Sequence, residues 1–159
     1  MSQKKLALIA TKGSLDWAYP PFILASTAAA LDYEVTIFFT FYGLQLLKKD
    51  LDLEVSPLGN PGMPMPMKMD KWFPVMGTAI PGMQGMMTSM MKNKIKTKGV
   101  SSVEDLRAAC IESDVKLIGC QMTIDLFDMK REDFIDDIDL GGAATFFEFA
   151  GDADVSLFI

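Results

Sequence analysis

Histidine is absent from all 159 residues. That removes Ser-His-Asp and Cys-His catalysis, and every His-based zinc or iron site, in one step. Only two cysteines occur, Cys110 and Cys120. Their separation fits neither a zinc knuckle nor a redox CxxC, and a secreted disulfide scaffold needs more of them. Positive charge is also scarce: 15 Lys and Arg stand against 21 Asp and Glu, a net charge of −6. Phosphate backbones call for clustered cations, so no nucleic-acid partner is expected. The one basic cluster, Lys92, Lys94, Lys96 and Lys98, is short and alternating and flanks an apolar segment instead. The apolar run of the N-terminus is too short for a signal peptide, and no cleavage site follows it. The expected compartment is a reducing cytoplasm, and no metal or other cofactor is expected.

What is present is apolar. Half of the residues are hydrophobic, enough for one domain to bury a core unaided. The chain is organised around Val115–Met129, VKLIGCQMTIDLFDM. Val115–Gly119 is the apolar run of a buried parallel strand. Cys120 follows directly, and Ile124–Met129 places Asp125 and Asp128 among apolar residues at helical spacing. A thiol between a strand's carboxyl end and a helix start lies where open α/β sheets hold ligands. The N–H groups there favour a thiolate. The other reading of Cys120 is a small apolar residue ending a core strand.

Around this stretch the chain alternates. Lys5–Ala10 forms a strand, 11–14 a polar turn, and Phe22–Leu31 a helix that Pro20 and Pro21 either begin or interrupt. Glu34–Thr40 is a second strand, rich in β-branched and aromatic residues. Tyr42–Lys49 is a short helix, and Asp52–Ser56 a candidate extra extended piece. In Ser101–Ser113, Ser101 and Glu104 suit a capping box, and Val103, Leu106 and Cys110 share the inward face. Ile138–Leu140 is extended, Gly141-Gly142 opens a helix through Ala150, and Val155–Ile159 is a last strand. The βα alternation implies a parallel sheet with right-handed crossovers.

One segment breaks the pattern. Ten of the thirteen methionines lie between Met63 and Met91, and six of the eight prolines between Pro57 and Pro81. Trp72–Met91 carries no charge and has the length of a membrane span. Pro74, Pro81, Gly77, Gly82 and Gly85 interrupt it, which argues against a transmembrane helix. The 58–91 segment is expected to be a Met-rich cover or docking surface against a second copy, a partner or a membrane face.

A parallel sheet gathers the carboxyl ends of its strands on one edge. That edge is expected to hold Thr11, Lys12, Gly13 and Ser14, residues 40–43, and Cys120 with Gln121 and Thr123. Gly141 and Gly142 are expected nearby. The inventory suits a nucleophilic sulfur and a small anion, and a thiolate needs no general base. Lys12 is either a solvated turn lysine or a thiolate-stabilising cation. Gly141-Gly142 either admits a ligand or meets the backbone needs of a turn. Cys110 and Cys120 are expected at opposite sheet edges, on the order of 15 Å apart at ~3.3 Å per strand residue, so they do not pair.

ALIATKGSLDWAYPPFILA, LIGCQMTIDLFDM and DLGGAATFFEFAGDADVSLFI together resemble the DsrE/DsrF/DsrH-like sulfur-relay family. The likeness is nearest to its branch with a Met/Pro-rich insertion, often labelled peroxiredoxin-like, and covers nearly the whole chain. The resemblance implies a flavodoxin-like three-layer α/β domain with a five-stranded parallel sheet, spanning 1–159 with its insertion at 58–91. It further implies homo- or hetero-oligomers, and a cysteine carrying sulfane sulfur as a persulfide. That cysteine maps onto Cys120. The expected function is a sulfur carrier or sulfurtransferase working between sulfur-donor and sulfur-acceptor proteins. The alternative is a scaffolding module that docks a partner or membrane protein through its Met-rich segment.

Overall fold

Runs of apolar and β-branched residues separated by helical periods pair side by side when helices cover both faces of the resulting sheet. The computed structural model, which describes residues 3–58 and 80–159, follows that rule. Its elements are β1 (Lys5–Ala10), α1 (Leu15–Ala30), β2 (Glu34–Phe39), a 3-10 segment (Phe41–Leu47), α2 (Met83–Thr97) and α3 (Val103–Glu112). These are followed by β3 (Lys116–Cys120), α4 (Gln121–Leu126), a 3-10 turn (Arg131–Asp133), β4 (Asp139–Gly141), α5 (Ala143–Ala150) and β5 (Val155–Phe158). Two compact units result. One comprises Met1–Gly13, Trp17–Asp52 and Val103–Ile159, and the other Ser14–Asp16 and Leu53–Ser102.

The first unit holds the sheet. All strand pairs are parallel, in the order β4-β3-β2-β1-β5. The first four strands are added in one direction, and the chain then returns past β1 to lay down β5. With right-handed crossovers, that reversal sends α5 to the face opposite α1 and α3. The strand residues divide accordingly, with period two. Ala7, Phe38, Ile118 and Cys120 pack with Phe146 of α5, and the Phe38 and Phe146 rings lie 5.4 Å apart. On the other face Phe39 meets Phe22 of α1 at 5.9 Å, and the Cys110 thiol of α3 donates to the Phe22 carbonyl at 3.5 Å. This is the expected three-layer α/β architecture.

Helix α1 runs unbroken through Pro20 and Pro21. Each ring removes one amide donor, leaving the Asp16 and Trp17 carbonyls without their usual helical partners. Burial of Ala18, Phe22 and Ala25 along the same helix offsets that cost. The 3-10 segment is tied down by a buried cation. Arg107 of α3 donates from Nη1 to the Leu46 carbonyl at 3.0 Å and to the Lys48 carbonyl at 2.7 Å.

Residues 52–56, of which Leu53 onward belong to the second unit, form no strand. Leu53 and Val55 are nevertheless buried, and side chains satisfy the backbone there. Thr88 Oγ1 accepts from the Val55 N–H at 3.0 Å, Gln84 Nε2 donates to the Val55 carbonyl at 3.0 Å, and Asp16 Oδ1 accepts from the Ser56 N–H at 3.1 Å. Much of the expected 58–91 insertion lies outside the described residues; its last part is α2. Among the described residues no helix is long and apolar enough to cross a membrane.

Candidate functional site

Strand β3 ends on Cys120, and the next residue already belongs to α4. Cys120 pairs in register with Gly141 of β4 on one side, while β2 flanks β3 on the other and delivers Thr40 just past its own end. The Thr40 and Thr123 hydroxyl oxygens are 3.2 Å apart. Thr123 is fully buried, and its Oγ1 also accepts from the Phe41 N–H at 3.3 Å. Phe41 reaches that position with φ +49°, a left-handed backbone that bulky residues rarely adopt.

These groups act on the sulfur. Burial pushes the Cys120 thiol up, but hydrogen bonds from the Thr123 hydroxyl and N–H, the Thr40 hydroxyl and the Met122 N–H outweigh it. The net shift is below the ordinary thiol value. Cys120 is 4 % exposed, and burial is the largest single influence on it; only the four donors together outweigh that penalty. Nothing in the balance comes from a charged side chain.

Cys110 is the opposite case. It is completely buried, and desolvation pushes its thiol up to about 11. Both cysteines are free.

The other residues expected at this edge lie as follows. Thr11 is tied to β5, its Oγ1 donating to the Ile159 carbonyl at 3.1 Å. Lys12 places Nζ 3.2 Å from the centre of the Trp17 ring. Gly13 lets its turn touch the 3-10 segment, because a Cβ there would run into the Tyr42 carbonyl oxygen. Ser14 belongs to the second unit. Gln121 is exposed and donates to Asp125 Oδ1 at 2.7 Å, along its own helix. Gly141 closes β4 opposite Cys120, where a Cβ would crowd the Thr145 side chain, and Gly142 is extended with open space where its Cβ would be. Thus Cys120, Thr123 and Gly141 come together, whereas Lys12 and Gln121 are engaged with other side chains. Residues 40–43 are expected on this edge from the sequence, but Thr40 is not singled out there. Its signal is a hydroxyl one residue past the end of the strand beside β3.

Outside the thiol lies an apolar rim. Phe127 stacks on Tyr42 at 5.8 Å and meets Phe41 edge-on at 6.3 Å. Met122 and Leu126 of α4 are 65 % and 60 % exposed.

A model of the DsrE/DsrF/DrsH-like family matches residues 2–158. The chain belongs to that family. Among its relatives, the sulfur carrier protein DsrE2 of Allochromatium vinosum is 73 % identical over 159 residues, the whole of both chains. YrkE of Bacillus subtilis is 35 % identical over 162 residues, covering 98 % of this chain and 97 % of that one. Two solved structures share the fold at 9 % identity and a TM-score of 0.55, each covering 99 % of this chain and 100 % of its own. They are the ychN protein of E. coli and MTH1491 of Methanobacterium thermoautotrophicum. For this DsrE-like chain they support the fold alone.

Proposed function

We propose that the protein is a sulfur carrier that holds sulfane sulfur as a persulfide on Cys120 and passes it to a thiol of a partner protein. The observation that carries this reading is the set of neutral donors around Cys120, which lowers its thiol below the ordinary value in a chain with no histidine. The full-length likeness to a protein named as a sulfur carrier supports the same conclusion.

Loading is an exchange with no net change of oxidation level. The Cys120 thiolate attacks the outer sulfur of a donor persulfide R–S–SH. A Cys120 S–S bond forms, the donor S–S bond breaks, and R–S⁻ leaves while the transferred sulfur keeps its proton. Unloading is the reverse, with an acceptor thiolate attacking the outer sulfur and Cys120 leaving as thiolate. The donors that stabilise the attacking anion therefore also stabilise the leaving one. The rim of Phe41, Tyr42, Met122, Leu126 and Phe127 suits an apolar protein surface brought against the thiol, since exposed apolar patches mark contact sites. Free thiols suit the reducing cytoplasm in which this exchange is proposed to run.

The test is incubation with thiosulfate or polysulfide, followed by intact-mass spectrometry. One added sulfur, removed by reductant and absent from Cys120→Ser, is the expected result. Equal loading of Cys120→Ser, or no loading from any donor, would overturn the reading. It would also leave docking through the 58–91 segment as the better account.

A further inference from the structure

We propose that Thr40 and the left-handed backbone of Phe41 are positioning elements for Cys120, acting with Thr123 as a hydroxyl pair whose protons turn between each other and the sulfur. Each threonine hydroxyl has one proton to give. The Phe41 N–H already donates to Thr123 Oγ1, so that oxygen's own proton points away from Phe41, toward either Thr40 or the sulfur. Thr40 Oγ1, 3.2 Å from Thr123 Oγ1, faces the same choice. With Cys120 as a neutral thiol the two hydroxyls bond to each other. With Cys120 as an anion both can donate to sulfur, and the Phe41 N–H continues to satisfy Thr123.

The Phe41 conformation fits this role. A non-glycine residue at φ +49° is strained and persists only where its surroundings hold it. Here the bond from its N–H to Thr123 does so, together with the Gly43 N–H donating to the Thr40 carbonyl at 3.0 Å.

The charged groups on the packed elements do not compete for this part. Asp125 of α4 is bonded to Gln121, and Lys116 and Asp139 pair with each other at the far ends of β3 and β4. The Tyr42 hydroxyl is on an exposed residue, and Glu148 of α5 is exposed as well. The inference rests on the proposed use of Cys120 as nucleophile and leaving group, but its test needs no sulfur transfer.

The experiment is the pH profile of alkylation by iodoacetamide, followed at Cys120 by peptide mass mapping, for wild type, Thr40→Val, Thr40→Ser and Phe41→Gly. Thr40→Val is expected to slow alkylation about three- to tenfold at pH 7 and to rejoin wild type at high pH, because a shift of up to one pKa unit changes the thiolate fraction up to tenfold. Thr40→Ser keeps the hydroxyl and is expected to restore the profile. Phe41→Gly keeps the N–H in a backbone that glycine adopts freely; losing the ring from the rim changes the absolute alkylation rate, but the midpoint of the pH profile is expected to stay in place. Should Thr40→Val fold poorly by circular dichroism, Thr40→Ala makes the same comparison without added bulk. A Thr40→Val or Thr40→Ala profile superimposed on wild type would overturn the proposal. So would failure of Thr40→Ser to rescue, or a Phe41→Gly shift as large as that of Thr40→Val. Absence of sulfur loading with these shifts intact would count against the carrier function and leave the hydroxyl pair standing.

Discussion

Cys110 and Cys120 differ in what surrounds them, and pH separates their behaviour. Burial pushes the Cys110 thiol up to about 11 from its ordinary value of 9.0. Between those values the unfolded chain has lost the proton while the folded chain still holds it. Stability is therefore fully present below about pH 9 and falls by roughly 1.4 kcal/mol per pH unit until the folded thiol itself ionises near pH 11. Cys110→Ala is expected to flatten that alkaline slope relative to wild type in urea titrations from pH 8 to 11, while leaving sulfur loading nearly intact. Cys120 shifts the other way, so its alkylation is expected to have a midpoint below the ordinary thiol value and to outpace that of Cys110 at neutral pH. Comparable rates for the two thiols in the folded protein would contradict these environments.

Among the elements, the 3-10 segment does the most to build the site, since it carries Phe41 and follows directly on Thr40. Two contacts hold it. Gly43 packs against β1 so closely that a Cβ would meet the Ala10 carbonyl oxygen. Gly43→Ala is expected to cost about 1–3 kcal/mol and to slow Cys120 alkylation at neutral pH, as read by thermal melts and iodoacetamide kinetics. Arg107 supplies the other contact, and Arg107→Met leaves the Leu46 and Lys48 carbonyls without their donor. A loss of about 1–3 kcal/mol in urea denaturation is expected.

Much of this level was legible beforehand. The β1 residues, the β3-to-α4 passage through Cys120 and the last strand all follow from apolar runs meeting helical periods. Helix α1 was less plain, because local proline rules argue for a break that burial of Phe22 and Ala25 overrides. Residues 52–56 look strand-like because Leu53 and Val55 alternate, yet these two are buried without a strand partner, and the Thr88 and Gln84 side chains satisfy the Val55 backbone. The sulfur's position could be anticipated, because it depends on one strand alone. The Thr40–Thr123 pair could not, because it depends on β2 lying beside β3 and on a backbone angle at Phe41 that no residue pattern announces.

At the scale of the whole molecule, the net charge of −6 sets how partners approach, since long-range fields steer protein encounters and salt screens them. The sulfur is a different matter, because it is tuned by hydroxyls and amides and no Coulombic contributor enters. Ionic strength should therefore act as a separator. Raising NaCl from about 0.05 to 1 M shortens the screening length from over 10 Å to about 3 Å. It is expected to leave alkylation of Cys120 by uncharged iodoacetamide unchanged within about twofold, while sulfur transfer to a charged partner protein changes severalfold. Stopped-flow transfer and alkylation run on the same salt series would show it. Parallel changes in both would mean that an ion pair governs the thiol after all. A thiol tuned this way keeps its chemical readiness constant while the medium decides only whom the protein meets.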